Sequence, residues 1–147
     1  MEIRSSPNFM WHIKDVLGQG ATGAVYKGRD KKTGNEVAIK VTNHLGMMRP
    51  LDVRKREFEV LNRLDHENIV RIFASENELR SQNEIIAMEL CSGGSLYTLL
   101  EHPSNSYGFS EKDCKDIIRD VGKYIIVITL RSFAIIFFPL FLKSEIQ

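Results

Sequence analysis

Few of the features that most quickly narrow a protein's role are present. There are only two cysteines in 147 residues, Cys91 and Cys114, and they fall in no metal-ligand spacing. This leaves no disulfide framework to read, and reduced thiols in a cytoplasmic chain are expected. Neither sign of charge is in excess: 20 Lys and Arg against 19 Asp and Glu leave a formal charge of +1. Such a balance gives no case for nucleic acid or for an acidic partner. Residues 1–10 contain no apolar signal segment, so no secretory route is expected. Internal repeats and low-complexity tracts are also lacking. What remains is ordinary for one folded domain with a modest core, with 43% apolar and 27% charged residues. Composition is uneven only in the last two dozen residues.

The patterning predicts a strand over 11–17 that runs into Gly18, Gly20 and Gly23. Extended character resumes over 25–28, Lys31-Lys32-Thr33-Gly34 reads as a turn, and a third strand follows over 36–42. Pro50 and Asp52 mark a helix start, with Asp52 as N-cap. The helix is expected over 53–64, with Glu57, Leu61 and Leu64 on one face. Further strands are expected over 69–75 and 84–90, then a short helix over 95–101. Another helix begins at Glu111 under a Ser110 cap. The fold class is α+β: five strands and one helix, followed by the start of a helical second lobe.

Gly18-Gln19-Gly20-Ala21-Thr22-Gly23-Ala24-Val25 fits G-x-G-x-x-G-x-V. Glycines let a backbone approach a polyphosphate and aim N–H groups at it. A glycine-rich turn with no ligand would look the same, so the context has to decide. A dinucleotide-binding loop opens a helix within a parallel βαβ unit, whereas this one is followed by strand, turn and strand. A P-loop needs Gly-Lys-Ser/Thr after it, and none follows. A flap that covers a nucleotide from above survives.

Val37-Ala38-Ile39-Lys40 matches the V-A-I-K strand motif. Alternation places Val37, Ile39 and Val41 on one face and Ala38 with Lys40 on the other. A small Ala38 leaves room for a flat base, and Lys40 on the same face can reach its phosphates. The ordinary fate of a strand-end lysine is the solvent. Glu57 is the expected counter-charge, the alternative being one more solvated residue in the mixed run Arg54-Lys55-Arg56-Glu57. Loop, lysine and glutamate in this order make coincidence a poor explanation.

These stretches resemble the small lobe of protein serine/threonine kinases, in particular the inhibitor-of-kappa-B-kinase-related group. The resemblance is carried by LGQGAT at 17–22, KKTG at 31–34, Arg49-Pro50 with Asp52-Val53, REFEVL at 56–61 and Asn68-Ile69-Val70. GSLYT at 94–98, Pro103-Ser104-Asn105 and Arg119-Asp120-Val121 add to it. It covers about residues 11–121, which would be an incomplete kinase domain between an N-terminal extension (1–10) and a divergent tail (122–147). The resemblance implies a five-stranded antiparallel sheet with one helix packed on it. It also implies an adenine slot of Leu17, Val25 and Ala38, a gatekeeper at Met88, and backbone hydrogen bonds to the base from Glu89 and Cys91. Gly18, Gln19, Gly20, Ala21, Thr22 and Gly23 would cover the phosphates. Lys40 and Glu57 would be the catalytic pair. The third glycine is present at Gly23, although this group often lacks it. ATP is the implied ligand, with protein substrates and regulators of innate-immune signalling as partners of the complete enzyme.

A kinase also needs a His-Arg-Asp loop with a following asparagine, and an Asp-Phe-Gly magnesium ligand. Ile118-Arg119-Asp120 is only a superficial match, because it falls within a predicted helix and Ile125 stands where the asparagine would be. No histidine follows His102 and no aspartate follows Asp120. No metal ligand is assigned, and the chain alone is expected to bind ATP weakly and to lack useful activity. A non-catalytic decoy lobe and a membrane-tethered fragment are the alternative functions. The apolar tail, 125–142, has three readings. It is a borderline membrane span weakened by Arg131 and Pro139, a packing helix, or translated intron. The last is placed first, because Gly122-Lys123-Tyr124 can be encoded as GGT-AAG-TAT, which resembles a splice donor where the family pattern stops.

Overall fold

The computed structural model describes residues 2–43, 48, 50–81 and 83–131, without the side chains of 51, 57, 61 and 126–131. These residues form two compact units. One comprises 1–63 and 71–90, the other 64–70 and 91–147.

The first unit is built on a six-stranded antiparallel sheet in the order β1-β2-β3-β4-β6-β5. Its strands are β1 (Ile3–Ser5), β2 (Phe9–Gly20), β3 (Gly23–Asp30), β4 (Glu36–Thr42), β5 (Ile72–Asn77) and β6 (Glu84–Met88). The helix α1 (Leu51–Asn62) contacts β5. Five strands were expected, and the described residues form six. The additional strand lies in the segment read as an extension, where a three-residue strand is too short to show an alternating pattern. Beyond it, Ser6 is fully buried and Phe9 joins the core.

One sheet face carries that core. Phe9, Trp11, Val37, Ile39, Ile85 and Ala87 cluster there, with Tyr26, Val41 and Ala74 packed against them. The alternation expected of β4 therefore holds: Val37 and Ile39 point into the cluster, and each fully buried aliphatic side chain contributes about 1.5–3 kcal/mol. Gly28 sits opposite Trp11 in the β2–β3 register. A Cβ there would fall 2.7 Å from the Ile39 Cγ1 and 2.8 Å from the Met10 carbonyl oxygen.

The N-terminal segment also reaches the far edge of the sheet. Arg4 pairs with the buried Glu78 at 2.9 Å, and the Leu79 N–H donates to the Ser5 carbonyl at 2.9 Å. The Asn8 N–H donates to Glu76 at 3.1 Å. The sheet is thus curled until its first and last strands meet at one end. Between β3 and β4, Asp30 accepts the N–H groups of Lys32 (2.7 Å) and Thr33 (2.9 Å), which holds the expected turn. These backbone donors, Thr33 first, lower the Asp30 carboxyl below its usual value.

Two boundaries of α1 differ from expectation. The helix starts at Leu51, with the Arg54 N–H on the Pro50 carbonyl at 3.1 Å. Asp52 therefore stands inside the first turn, where it complements the helix dipole instead of capping it. The helix ends at Asn62 because the chain tightens: the Arg63 N–H donates to the Val60 carbonyl at 3.2 Å. Leu64, expected on the helix face, is buried beyond its end. The strand expected from 69 begins at Ile72, since His66 accepts the Asn68 N–H on its ring (3.0 Å) and the Ile69 N–H on its carbonyl (3.1 Å).

In the second unit, Ser95 caps α2 (Leu96–Leu100) by accepting the Thr98 N–H at 3.1 Å, and a 3-10 turn follows at Pro103–Asn105. Ser110 caps α3 (Glu111–Arg131) as expected, accepting the Asp113 N–H at 3.2 Å. Lys123 reaches Glu67 in the 64–70 segment at 3.1 Å. Ile118-Arg119-Asp120 lies well inside α3, with Arg119 turned to Asp116 at 2.5 Å, so it forms no catalytic loop. Most of the tail segment 125–142 lies outside the described residues. Among the described residues, no helix is long and apolar enough to cross a membrane.

Candidate functional site

The face of the sheet opposite the core gathers most of the predicted site. Val25 pairs with Lys40, Lys27 with Ala38, Ala38 with Met88 and Lys40 with Ile86. Directly paired residues share a face. Val25, Ala38, Lys40 and Met88 therefore stand side by side across three strands. Val25, Ala38 and Met88 are 8%, 6% and 4% exposed, while Lys40 is half-buried. This arrangement follows from strand alternation, so V-A-I-K could be assigned to its faces from sequence alone.

Leu17 is placed differently. Val16 pairs with Tyr26 and Gly18 with Val25, consecutive residues of β3, so Leu17 is the extra residue of a β-bulge. Bulges re-aim a side chain and sharpen the local twist. Leu17 is half exposed, and it lines a groove of about 570 Å³ with Met10, Val16, Lys27, Arg29 and Glu36. Of the predicted site residues, this groove includes Leu17 alone.

Beyond the bulge, Gly18, Gln19 and Gly20 pair with Val25, Ala24 and Gly23, leaving Ala21 and Thr22 as the tip of a hairpin. The tip is held from β4. The Asn43 N–H donates to the Thr22 carbonyl at 3.0 Å, and its side-chain amide donates to the Ala21 carbonyl at 2.8 Å. A trans peptide carries its N–H opposite its carbonyl, so the N–H of Thr22 is directed away from Asn43. A Cβ at Gly23 would come within 2.1 Å of the Val41 carbonyl oxygen, so the glycine lets the hairpin lie close on β4. Gly18 has nothing within 4 Å of an added Cβ. Its lack of a side chain serves no packing purpose.

Asn43 escaped sequence reasoning, because a single asparagine after a strand carries no signal of its own. Asn43→Ala in the full-length protein is expected to raise KM for ATP about fivefold with little change in kcat, as loss of the exposed side-chain hydrogen bond to the Ala21 carbonyl suggests. Steady-state kinetics with varied ATP check this, and an unchanged KM would remove Asn43 from the site.

After β6, the Glu89 N–H donates to the Arg71 carbonyl at 2.9 Å, and the Glu89 side chain accepts the Arg71 N–H at 3.3 Å. The Glu89 N–H and side chain are thus both committed to the Arg71 backbone. Cys91 is half-buried, in no disulfide, at the start of the second unit's longer segment. Glu57 stands on α1, and its side chain lies outside the described residues. No grouping of three His, Cys, Asp or Glu that could hold a metal ion occurs among the described residues.

Charge on this face is partly self-neutralised. Lys27 donates to Glu36 at 2.9 Å and Arg29 lies 3.6 Å away. The Lys27 hydrogen bond is the main cause that holds the Glu36 carboxyl below its ordinary 4.5. A depressed folded pKa means that the pair's contribution is complete above the ordinary value and is lost as pH falls through the folded one. An NMR titration of Glu36 should show its midpoint below 4.5. Lys27→Ala should move that midpoint upward, and an unmoved one would refute the assignment.

Comparison with known proteins agrees with this geometry. The protein kinase domain family matches residues 11–134, a range that runs past Val121. The chain is 49% identical over 119 residues to mouse (Mus musculus) inhibitor of nuclear factor kappa-B kinase subunit epsilon, covering 81% of this chain and 17% of that protein. Subunit alpha of the same kinase from Gallus gallus is 32% identical over 118 residues, covering 78% of this chain and 16% of the relative. Subunit alpha from Xenopus tropicalis gives the same figures. The chain thus spans less than a fifth of the length of these curated relatives. A glycine hairpin beside the strand that bears Lys40, a core on the opposite face and a match across most of the sequence lead to one conclusion: the chain belongs to the protein kinase family.

Proposed function

We propose that this chain is the ATP-binding portion of a serine/threonine protein kinase related to the inhibitor-of-kappa-B kinases, acting in innate-immune signalling in the cytoplasm. The observation that carries the reading is the shared face of Val25, Ala38, Lys40 and Met88 next to the hairpin 18–23. Val25, Ala38 and Leu17 provide apolar surface for the adenine, and Met88 closes its inner end. The Glu89 carbonyl supplies a hydrogen bond to the base edge. The hairpin, held by Asn43, directs the Thr22 N–H towards the phosphate side. Lys40, steadied by Glu57, neutralises phosphate charge and fixes its position. Positioning and charge stabilisation make up most of catalysis in phosphoryl transfer. Magnesium, when bound, would supply further charge neutralisation; no residue of this chain is assigned to hold it.

The direct test is an assay of the full-length protein with a serine/threonine peptide library and labelled ATP. Transfer of label to hydroxyl side chains, dependent on ATP and magnesium, is the expected result. Absence of transfer from a folded, full-length preparation treated with an activating kinase would overturn the reading.

A further inference from the structure

Helix α1 is tied to the sheet by an ion pair that the nucleotide site does not use. Arg54, in the first half of α1, places its Nη1 on the Glu84 Oε2 at the start of β6. Their side chains are only 13% and 23% exposed. The Ser75 hydroxyl on β5 donates to the other oxygen of Glu84 at 3.3 Å. One carboxylate thus joins the helix to two strands. Glu84 is two residues before Ile86, which stands opposite Lys40 in the β4–β6 register. Residue 57 follows Arg54 by less than one helical turn. Whatever holds the backbone at 54 therefore also constrains it at 57. A half-buried pair is poorly screened, and removing one partner leaves a charge without compensation in a low-dielectric setting.

We propose that Arg54 and Glu84 form a strut that sets the position of α1 against the sheet and, through it, the alignment of the catalytic pair. Both are positioning residues. The link to catalysis rests on the kinase reading given above; the strut itself does not.

The strut is tested by hydrogen exchange on this chain in three variants. Arg54→Met keeps the apolar stem and deletes the charge, and Glu84→Gln keeps the shape. The third carries Arg54→Glu and Glu84→Arg together. Each single variant is expected to quicken exchange of the α1 amides about tenfold, with the amides of β2, β3 and β4 unchanged, and the exchanged pair is expected to restore most of the protection. Unchanged exchange in α1, or a uniform rise across the sheet, would overturn the strut. In the full-length protein the single variants should lower kcat about tenfold, with recovery in the exchanged pair. Normal kcat alongside quickened exchange would overturn the link to catalysis. A wild-type protein without phosphotransfer would defeat the kinase reading while leaving the exchange result, and so the strut, in place.

Discussion

Lys40→Met in the full-length protein is expected to lower ATP-dependent phosphorylation at least about a hundredfold, the scale on which a preorganised charge acts in a water-poor site. The substitution retains most of the side chain's length and apolar stem, and removes only the ammonium. Lys40 is half-buried at the level of Val25 and Ile86, so the methionine stem can occupy the same path along the sheet. Stability should therefore change little. The effect should appear in kcat, because fixed charge counts most where phosphate charge redistributes. Kinetics together with a thermal melt would separate the two. A variant that keeps most of its turnover would remove Lys40 from the chemistry. One that melts far below the parent would show that the lysine is structural.

Gly28→Ala should have the largest effect on stability, and it lies outside the nucleotide motif. The added methyl would meet the Ile39 side chain at 2.7 Å and the Met10 carbonyl oxygen at 2.8 Å, with the Trp11 Cβ at 3.3 Å. Ile39 is fully buried, Trp11 nearly so, and a backbone carbonyl cannot rotate away. Overpacking of this kind costs about 1–3 kcal/mol, and the rigid neighbours place this site towards the upper end. The matching control is Gly18→Ala, where the added methyl meets nothing within 4 Å. Chemical denaturation should show a clear drop in the midpoint for Gly28→Ala and none for Gly18→Ala. ATP affinity should fall for Gly18→Ala, whose glycine faces the proposed ligand rather than the core. Equal midpoints in the two variants would contradict this division of roles.

Those two glycines show what could and could not be read in advance. Alternation in Val37-Ala38-Ile39-Lys40 assigns both faces of β4 correctly, because period 2 is a geometric property of any strand. The Ser110 cap and the turn at 31–34 are likewise local, and both stand where expected. What escaped depends on partners distant in sequence. Gly28 matters because Trp11 and Ile39 converge on it. Asn43 matters because the hairpin folds back to it. Arg54 looked like one charge among many until Glu84 came beside it. Leu17 was grouped with Val25 and Ala38; it stands as the extra residue of a bulge, which leaves no trace in the pattern, and lines a groove with Lys27 and Glu36. Leu64 continues the helical spacing, but the chain leaves the helix two residues earlier and buries it elsewhere.

An antiparallel sheet presents unpaired N–H and C=O groups along its outer strands, and such rims invite strands from other molecules to add to them. Here the rims are β1 and β5. The bond from Leu79 to Ser5, the Arg4–Glu78 pair and the anchoring of Asn8 by Glu76 bring the two rims together at one end. A fragment begun at Trp11, where the family match starts, would lose all three contacts. It would also leave Glu78 buried without Arg4 and one face of Trp11 without Phe9. Such a fragment would retain the nucleotide-facing residues but have two open rims, and it should self-associate through strand addition. The segment before Trp11, outside the family match, is thus expected to shield the sheet's rims from strand addition.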